Sequence, residues 1–273
     1  MKKILLFILG LSFFLNFWFL KPEEAYALAW TQKKDHINVT TTYYYQEGSD
    51  YYDNNSNLKS SPNKFVKNSI NTYVEYGITD KVTAILDVPY DIVKDGGQTS
   101  KGIGDIKLGI IKNLKTDSSS SLSFYGFGII PTGYSIDTSN AGIGRGYDRL
   151  GAEFGLAYGK SFSKGYVESA VGYRFYTGFP SDQIRAYTQG EYDINKNIGL
   201  YGMIDAQLGV YNGRSIYSYN NNLIPQGYRL VQAYLGIVLK TDFANFNFGY
   251  NKTLWGQNTG DLKGFYFGFN RNF

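Results

Sequence analysis

The 273-residue chain contains no cysteine and a single histidine. The first absence excludes a disulfide framework and all thiol chemistry, so an exported form of the chain must be held by backbone pairing and packing alone. The histidine, His36, has no G-x-S-x-G-like context near it, and a serine nucleophile needs a positioned base within hydrogen-bond reach. Catalysis is therefore not expected. No Cys/His spacing and no carboxylate cluster suggests a metal site. No cofactor is expected either: Gly102-Ile103-Gly104-Asp105 lacks the Gly-Lys-Ser/Thr that completes a phosphate loop, and a bend entering a strand explains it better. The net charge is only +4, with no basic cluster, which argues against a nucleic-acid partner.

Long apolar runs are scarce as well. The one that exists is N-terminal: Lys2 and Lys3 precede an uncharged stretch from Ile4 to Leu20, followed by Ala25-Tyr26-Ala27, an A-x-A cleavage pattern. Residues 1–27 thus read as a cleaved signal peptide. The competing reading is an uncleaved anchor, because the run approaches the ~18 residues at which a spanning helix becomes plausible. A second pattern, Ala27-Leu28-Ala29, places the mature start at Leu28 or at Trp30. Removing residues 1–27 takes three lysines and two glutamates and leaves a charge of +3.

What the chain has in abundance is aromatic residues and glycine: 26 Tyr, 19 Phe, 3 Trp and 32 Gly, at a mean hydropathy of −0.29. Tyrosine and phenylalanine favour strands, and the amphipathic tyrosine ring suits a membrane interface. From His36 onward, twelve segments alternate apolar and polar residues, the signature of barrel strands. Near the C-terminus Ala244, Phe246, Phe248, Tyr250 and Leu254 alternate with Asn245, Asn247, Gly249 and Asn251. Val82, Ala84, Leu86, Val88 and Tyr90 oppose Thr83, Asp87 and Asp91, and Leu200, Ile204 and Leu208 oppose Tyr201, Asp205 and Gln207. A soluble β-sandwich would alternate too.

Connection lengths separate the two. Short breaks at 79–81, 115–119, 161–164, 195–197 and 241–242 alternate with longer ones at 48–63, 95–102, 132–148, 178–183, 211–227 and 256–261. Outer-membrane barrels place tight periplasmic turns on one rim and longer loops on the other. The expectation is a closed, all-β, antiparallel transmembrane barrel of about twelve strands, forming one domain over residues 28–273. Closure is required because hydrocarbon offers no partner to an unpaired strand edge. Tyr43, Tyr45, Tyr90, Tyr211 and Trp255 mark an aromatic belt on the loop side, and Tyr76, Tyr158, Tyr192 and Phe243 one on the turn side. The last segment carries Phe265, Phe267, Phe269 and Phe273 on one face, interrupted by Arg271, a pattern that resembles the strand by which barrel-assembly machinery recognises its clients.

The inward face would then collect Glu75, Asp87, Asp105, Lys107, Glu153, Glu168, Arg174, Arg185, Glu191 and Asp205. One reading is a wall of mutually paired charges, since unpaired buried charge is costly. The other is a constriction selecting solutes by sign and hydrogen bonding. Eight strands leave an interior filled by side chains and sixteen an open channel, so twelve predict a narrow pore or one partly blocked by an inward loop. Asn220-Asn221-Asn222 and Tyr51-Tyr52 are candidate covers.

Three motifs resemble the outer-membrane family labelled "putative MetA-pathway of phenol degradation": Gly77-Ile78-Thr79-Asp80-Lys81 through Val88-Pro89-Tyr90, Gly102 to Gly109, and Ile130-Pro131-Thr132-Gly133. The resemblance covers roughly residues 70–135. It implies a bacterial, Gram-negative outer-membrane location, lipid as surroundings, and uptake of small aromatic or apolar compounds; it carries over no site residue. The alternative is a non-conducting barrel serving structure or surface interaction.

Overall fold

The computed structural model describes residues 28–136, 144–217 and 223–273; the expected signal peptide and Asn220-Asn221-Asn222 lie outside them. Fifteen strands follow in order: β1 (Ile37–Tyr52), β2 (Leu58–Thr79), β3 (Val82–Asp95), β4 (Gln98–Ile103), β5 (Ile106–Thr116), β6 (Ser120–Ile130), β7 (Gly151–Phe162), β8 (Gly165–Tyr176), β9 (Gln183–Asn195), β10 (Ile198–Gly209), β11 (Ile216–Tyr217), β12 (Leu223–Ile224), β13 (Arg229–Lys240), β14 (Asn245–Gln257) and β15 (Thr259–Asn272). All pairings are antiparallel, and β1 pairs with both β2 and β15, which closes the sheet. Because β4 and β5 share β3 as partner end to end, the barrel has twelve staves. β11 and β12 form a separate small hairpin in the loop between β10 and β13.

Alternation sets the inside and outside. Thr83 and Asp87 are buried while Leu86 and Tyr90 are exposed, and on β15 Phe265 and Phe267 face out between buried Tyr266 and Asn270. The exposed apolar side chains form a band around every stave, from Ile70 through Phe154, Val171 and Leu235 to Phe248. A surface this apolar is stable against lipid and not against water. Arg271, the interruption in the last strand, lies over the rings of Phe243 and Phe273 at 4.2 and 4.8 Å, so its charge sits at the aromatic rim rather than in the band.

One rim has short turns, at residues 80–81, 117–119, 163–164, 196–197 and 241–244. The other differs from expectation at three places. Instead of long loops at 48–63, 95–102 and 256–261, the strands continue and turn tightly, at 53–57, at Gly96-Gly97 and at Asn258 alone. β2 has 22 residues, about twice what crosses hydrocarbon, so the β1–β2 hairpin rises well above the membrane. Polar alternation continues along it, which is why composition alone suggested loop. The Asp53 carboxylate closes its tip by accepting the N–H groups of Asn55 and Asn57 at 2.8 and 2.9 Å, and these bonds, that of Asn57 foremost, hold its pKa below the ordinary range. On the opposite rim Asp117 does the same with the N–H groups of Ser119 and Ser120.

Two outward assignments and one candidate cover are corrected. Ala244 is buried in its turn, Tyr211 folds back with Arg229 4.9 Å over its ring, and Tyr51-Tyr52 forms part of the rising hairpin rather than a cover.

Candidate functional site

Two segments enter the lumen, one from each end. From the turn side, residues 28–32 run inside the barrel, and residues 33–36 lead from it along the exposed rim to β1. Ala29 is fully buried against Ile85, Ile111, Tyr125, Ala157 and Ala170. Trp30 packs edge-on against Tyr166 at 6.0 Å and lies over Gly159, where any Cβ would overlap its indole. Polar bonds fix the rest: Ser123 Oγ donates to the Ala29 carbonyl at 2.7 Å, the Gln32 N–H to Thr83 Oγ1 at 2.8 Å, and Gln32 Nε2 to Glu75 Oε2 at 2.7 Å. The Leu28 and Ala29 N–H groups each donate to one oxygen of Glu168, at 3.1 Å.

From the loop side, residues 144–149 fold over the mouth. The Tyr147 N–H donates to Asp105 Oδ2 at 2.9 Å, and the Tyr147 hydroxyl bonds that of Tyr228, which donates to Gln207 Oε1 at 2.7 Å. Arg145 donates to the Ile103 carbonyl at 3.1 Å and to Ser100 Oγ at 2.9 Å. Here the three sequence motifs converge. The Gly104 N–H donates to the Pro89 carbonyl at 2.9 Å, Thr132 Oγ1 to the Ile103 carbonyl at 2.7 Å, and the Tyr134 hydroxyl bonds Asp105. Gly104 allows the close approach: a Cβ there would stand 2.6 Å from the Arg145 carbonyl oxygen.

Within the barrel lies a cavity of about 510 Å³ that Leu28 of the N-terminal segment touches and to which all twelve staves contribute lining residues. Its wall is tyrosine and charge. Tyr44, Tyr73, Tyr166, Tyr187, Tyr201, Tyr234 and Tyr266 line it, with Asp87, Lys107, Glu153, Arg174, Arg185, Glu191 and Asp205. The charges pair across neighbouring strands, except that Lys240 on β13 reaches past β10 to β9. Lys107 Nζ lies 2.7 Å from Asp87, Arg174 2.5 Å from Glu153, Arg185 Nη2 3.0 Å from Asp205, and Lys240 Nζ 2.8 Å from Glu191 and 2.6 Å from Asp193. Arg185 is only partly satisfied: its Nε and Nη1 are buried and meet no acceptor among the described residues.

Seven of the ten residues expected on the inner wall thus lie on this one cavity. Glu75 and Glu168 lie below it, under the N-terminal segment, and Asp105 sits at the mouth holding residues 134 and 147. Sequence reasoning missed three contributors. The sequence marks Trp30 only as a possible chain start. Tyr147 falls in an expected loop. Alternation puts Tyr201 on the inner face, but the other inward tyrosines are hidden by the expectation that tyrosine marks membrane rims, although Tyr166 and Tyr187 stand on the polar face of their strands.

No family model and no curated protein matches the chain. Solved structures do. The COG4313 outer membrane channel from Pseudomonas putida F1 superposes with a TM-score of 0.75 at 15% identity, over 92% of this chain and 100% of that one. The translocator domain of autotransporter NalP from Neisseria meningitidis reaches 0.49 at 10% identity, over 89% of this chain and 90% of the other. The CymD monoaromatic hydrocarbon channel reaches 0.45 at 9%, over 89% of each. The first of these similarities shows a shared fold, a closed twelve-stranded transmembrane barrel; the other two are too distant to carry an argument.

Proposed function

We propose that this protein is a bacterial outer-membrane channel for small amphipathic solutes, each an aromatic or apolar body bearing an anionic or hydrogen-bond-accepting group. The observation that carries this reading is Arg185: two buried N–H donors with no acceptor among the described residues, in a side chain on the wall of a tyrosine-lined cavity of about 510 Å³. A cavity of a few hundred cubic ångströms with a few convergent polar groups is the size and character of a small-molecule site. Tyrosine faces stack on planar bodies, and a guanidinium donor left unpaired in a buried wall favours an acceptor on the solute. The local resemblance of residues 77–133 to a family named for phenol degradation supports the aromatic class, and the twelve-stranded fold it shares with an outer membrane channel supports the location.

The Phe-rich β15, with Phe273 directly after it, supports recognition by the barrel-assembly machinery. Deletion of Phe273 should lower the amount of assembled barrel in the outer membrane at unchanged synthesis.

A second reading, a non-conducting barrel, is favoured by one observation: protein segments enter the lumen from both ends. Block of single-channel current by benzoate separates the two. Concentration-dependent block that weakens in Arg185→Ala supports the channel with its acceptor site. Current that benzoate leaves unchanged rejects the solute class, and a correctly folded protein that carries no current rejects the channel.

A further inference from the structure

Glu168 is a carboxylate with no exposed surface, the fourth residue of β8. No lysine or arginine among the described residues lies within ion-pair distance of it; the paired acids of the lumen are Asp87, Glu153, Asp205, Glu191 and others. Its neighbours are neutral donors. The Tyr187 hydroxyl bonds Oε1, Gln189 Nε2 stands 3.5 Å from it, and the backbone nitrogens of Leu28 and Ala29 lie 3.1 Å from Oε1 and Oε2. A second buried acid, Glu75, faces the same segment through Gln32. A buried carboxylate such as Glu168, with no side-chain cation among the described residues beside it, is an expensive arrangement unless a cation comes from elsewhere.

The sequence supplies one. The first nitrogen on Glu168 belongs to Leu28, the residue that follows Ala25-Tyr26-Ala27. Hydrolysis of the Ala27–Leu28 bond adds water: the acyl carbon of Ala27 takes the oxygen and leaves as a carboxylate, and the Leu28 nitrogen takes up protons to become an ammonium. A peptide N–H offers one donor and no charge; the ammonium offers three donors and a full positive charge.

We propose that processing after Ala27 creates the ion-pair partner of Glu168, and that the resulting Leu28 α-ammonium docks on that carboxylate and latches the N-terminal segment inside the barrel. Cleavage after Ala29, the alternative in the sequence, does not fit. It would remove both residues whose nitrogens meet Glu168 and would empty the fully buried position of Ala29. The inference is independent of whether the barrel conducts.

The test uses the full precursor expressed in a Gram-negative host and purified from outer membranes. N-terminal sequencing and intact mass should give a chain beginning at Leu28; a chain beginning at Trp30 or elsewhere overturns the proposal. The folded protein in detergent is then exposed to an amine-reactive acylating reagent near neutral pH, and the sites are mapped by mass spectrometry. The Leu28 α-amine should react at least ten-fold more slowly than in the unfolded protein, and this protection should fall in folded Glu168→Gln. Equal rates in folded and unfolded wild type, or full protection in folded Glu168→Gln, would overturn it. If Glu168→Gln does not fold, a precursor with one glycine inserted between Ala27 and Leu28 carries the same test: its displaced amine should label at the unfolded rate, and full protection would count against the latch.

Discussion

Arg174 and Glu153 stand directly opposite each other on β8 and β7, with the guanidinium 2.5 Å from Glu153 Oε2 and the Tyr125 hydroxyl donating to Oε1 at 3.2 Å. Both are buried, so removing one partner strands the other's charge in the wall. Glu153→Gln should destabilise the barrel by about 3 kcal/mol, the scale for breaking a buried ion pair. It should also shift ion selectivity toward anions, because a positive charge is left facing the cavity. Denaturant unfolding in micelles and reversal potentials in a salt gradient measure the two effects; an unchanged selectivity would remove this pair from the conduction path.

Three of the wall pairs stand side by side in neighbouring strands, as Asp87 and Lys107 do in register across β3 and β5. That much was legible in the sequence, because alternation fixes which residues share a face and twelve segments fix how many staves close. The two segments that enter the lumen were not. Ala29 and Trp30 carry no periodicity, and their burial depends on Gly159 standing 129 positions later, a tertiary fit that no local pattern records. Tyr147 likewise reaches Asp105 and Tyr228 only because the barrel brings three distant strands to one mouth. The motif around Gly102 to Asp105 was visible as an irregularity, but its reason, the seat for Arg145 and Tyr147, lay in a loop 40 residues away.

Arg185 gives a second prediction. With Nη2 on Asp205 and two donors that meet no acceptor among the described residues, Arg185→Ala should weaken block of the channel by benzoate by roughly ten-fold or more, the loss of a charge-assisted hydrogen bond being worth about 1.5–3 kcal/mol. Arg185→Lys should recover only part of this, since a point charge replaces a planar fork.

Gly159 gives a third. A side chain there meets the Trp30 indole, so Gly159→Val should expel Trp30 from its seat beside Tyr166 while leaving the strand pairing intact. In a Trp255→Phe background the emission of Trp30 should move to longer wavelength and become accessible to acrylamide. A spectrum identical to that of the parent would show that Trp30 does not occupy this position.

At the opposite mouth, Tyr147→Ala removes the ring that packs against Tyr176 at 5.2 Å and Phe179 at 5.9 Å and the hydroxyl bonded to Tyr228. The loop should then withdraw and raise conductance, whereas Tyr147→Phe, which keeps the ring and loses only the hydroxyl, should change it much less. Single-channel recordings of both variants decide whether packing or the hydroxyl pair holds the loop in place.

The central claim, a conducting barrel narrowed from both ends, is tested most directly by planar-bilayer recording of the purified full-length protein beside a variant lacking residues 28–32. Discrete small steps in the wild type and several-fold larger steps in the deletion are the predicted result. Silence from both, in membranes where the folded barrel is verified to be present, would contradict it.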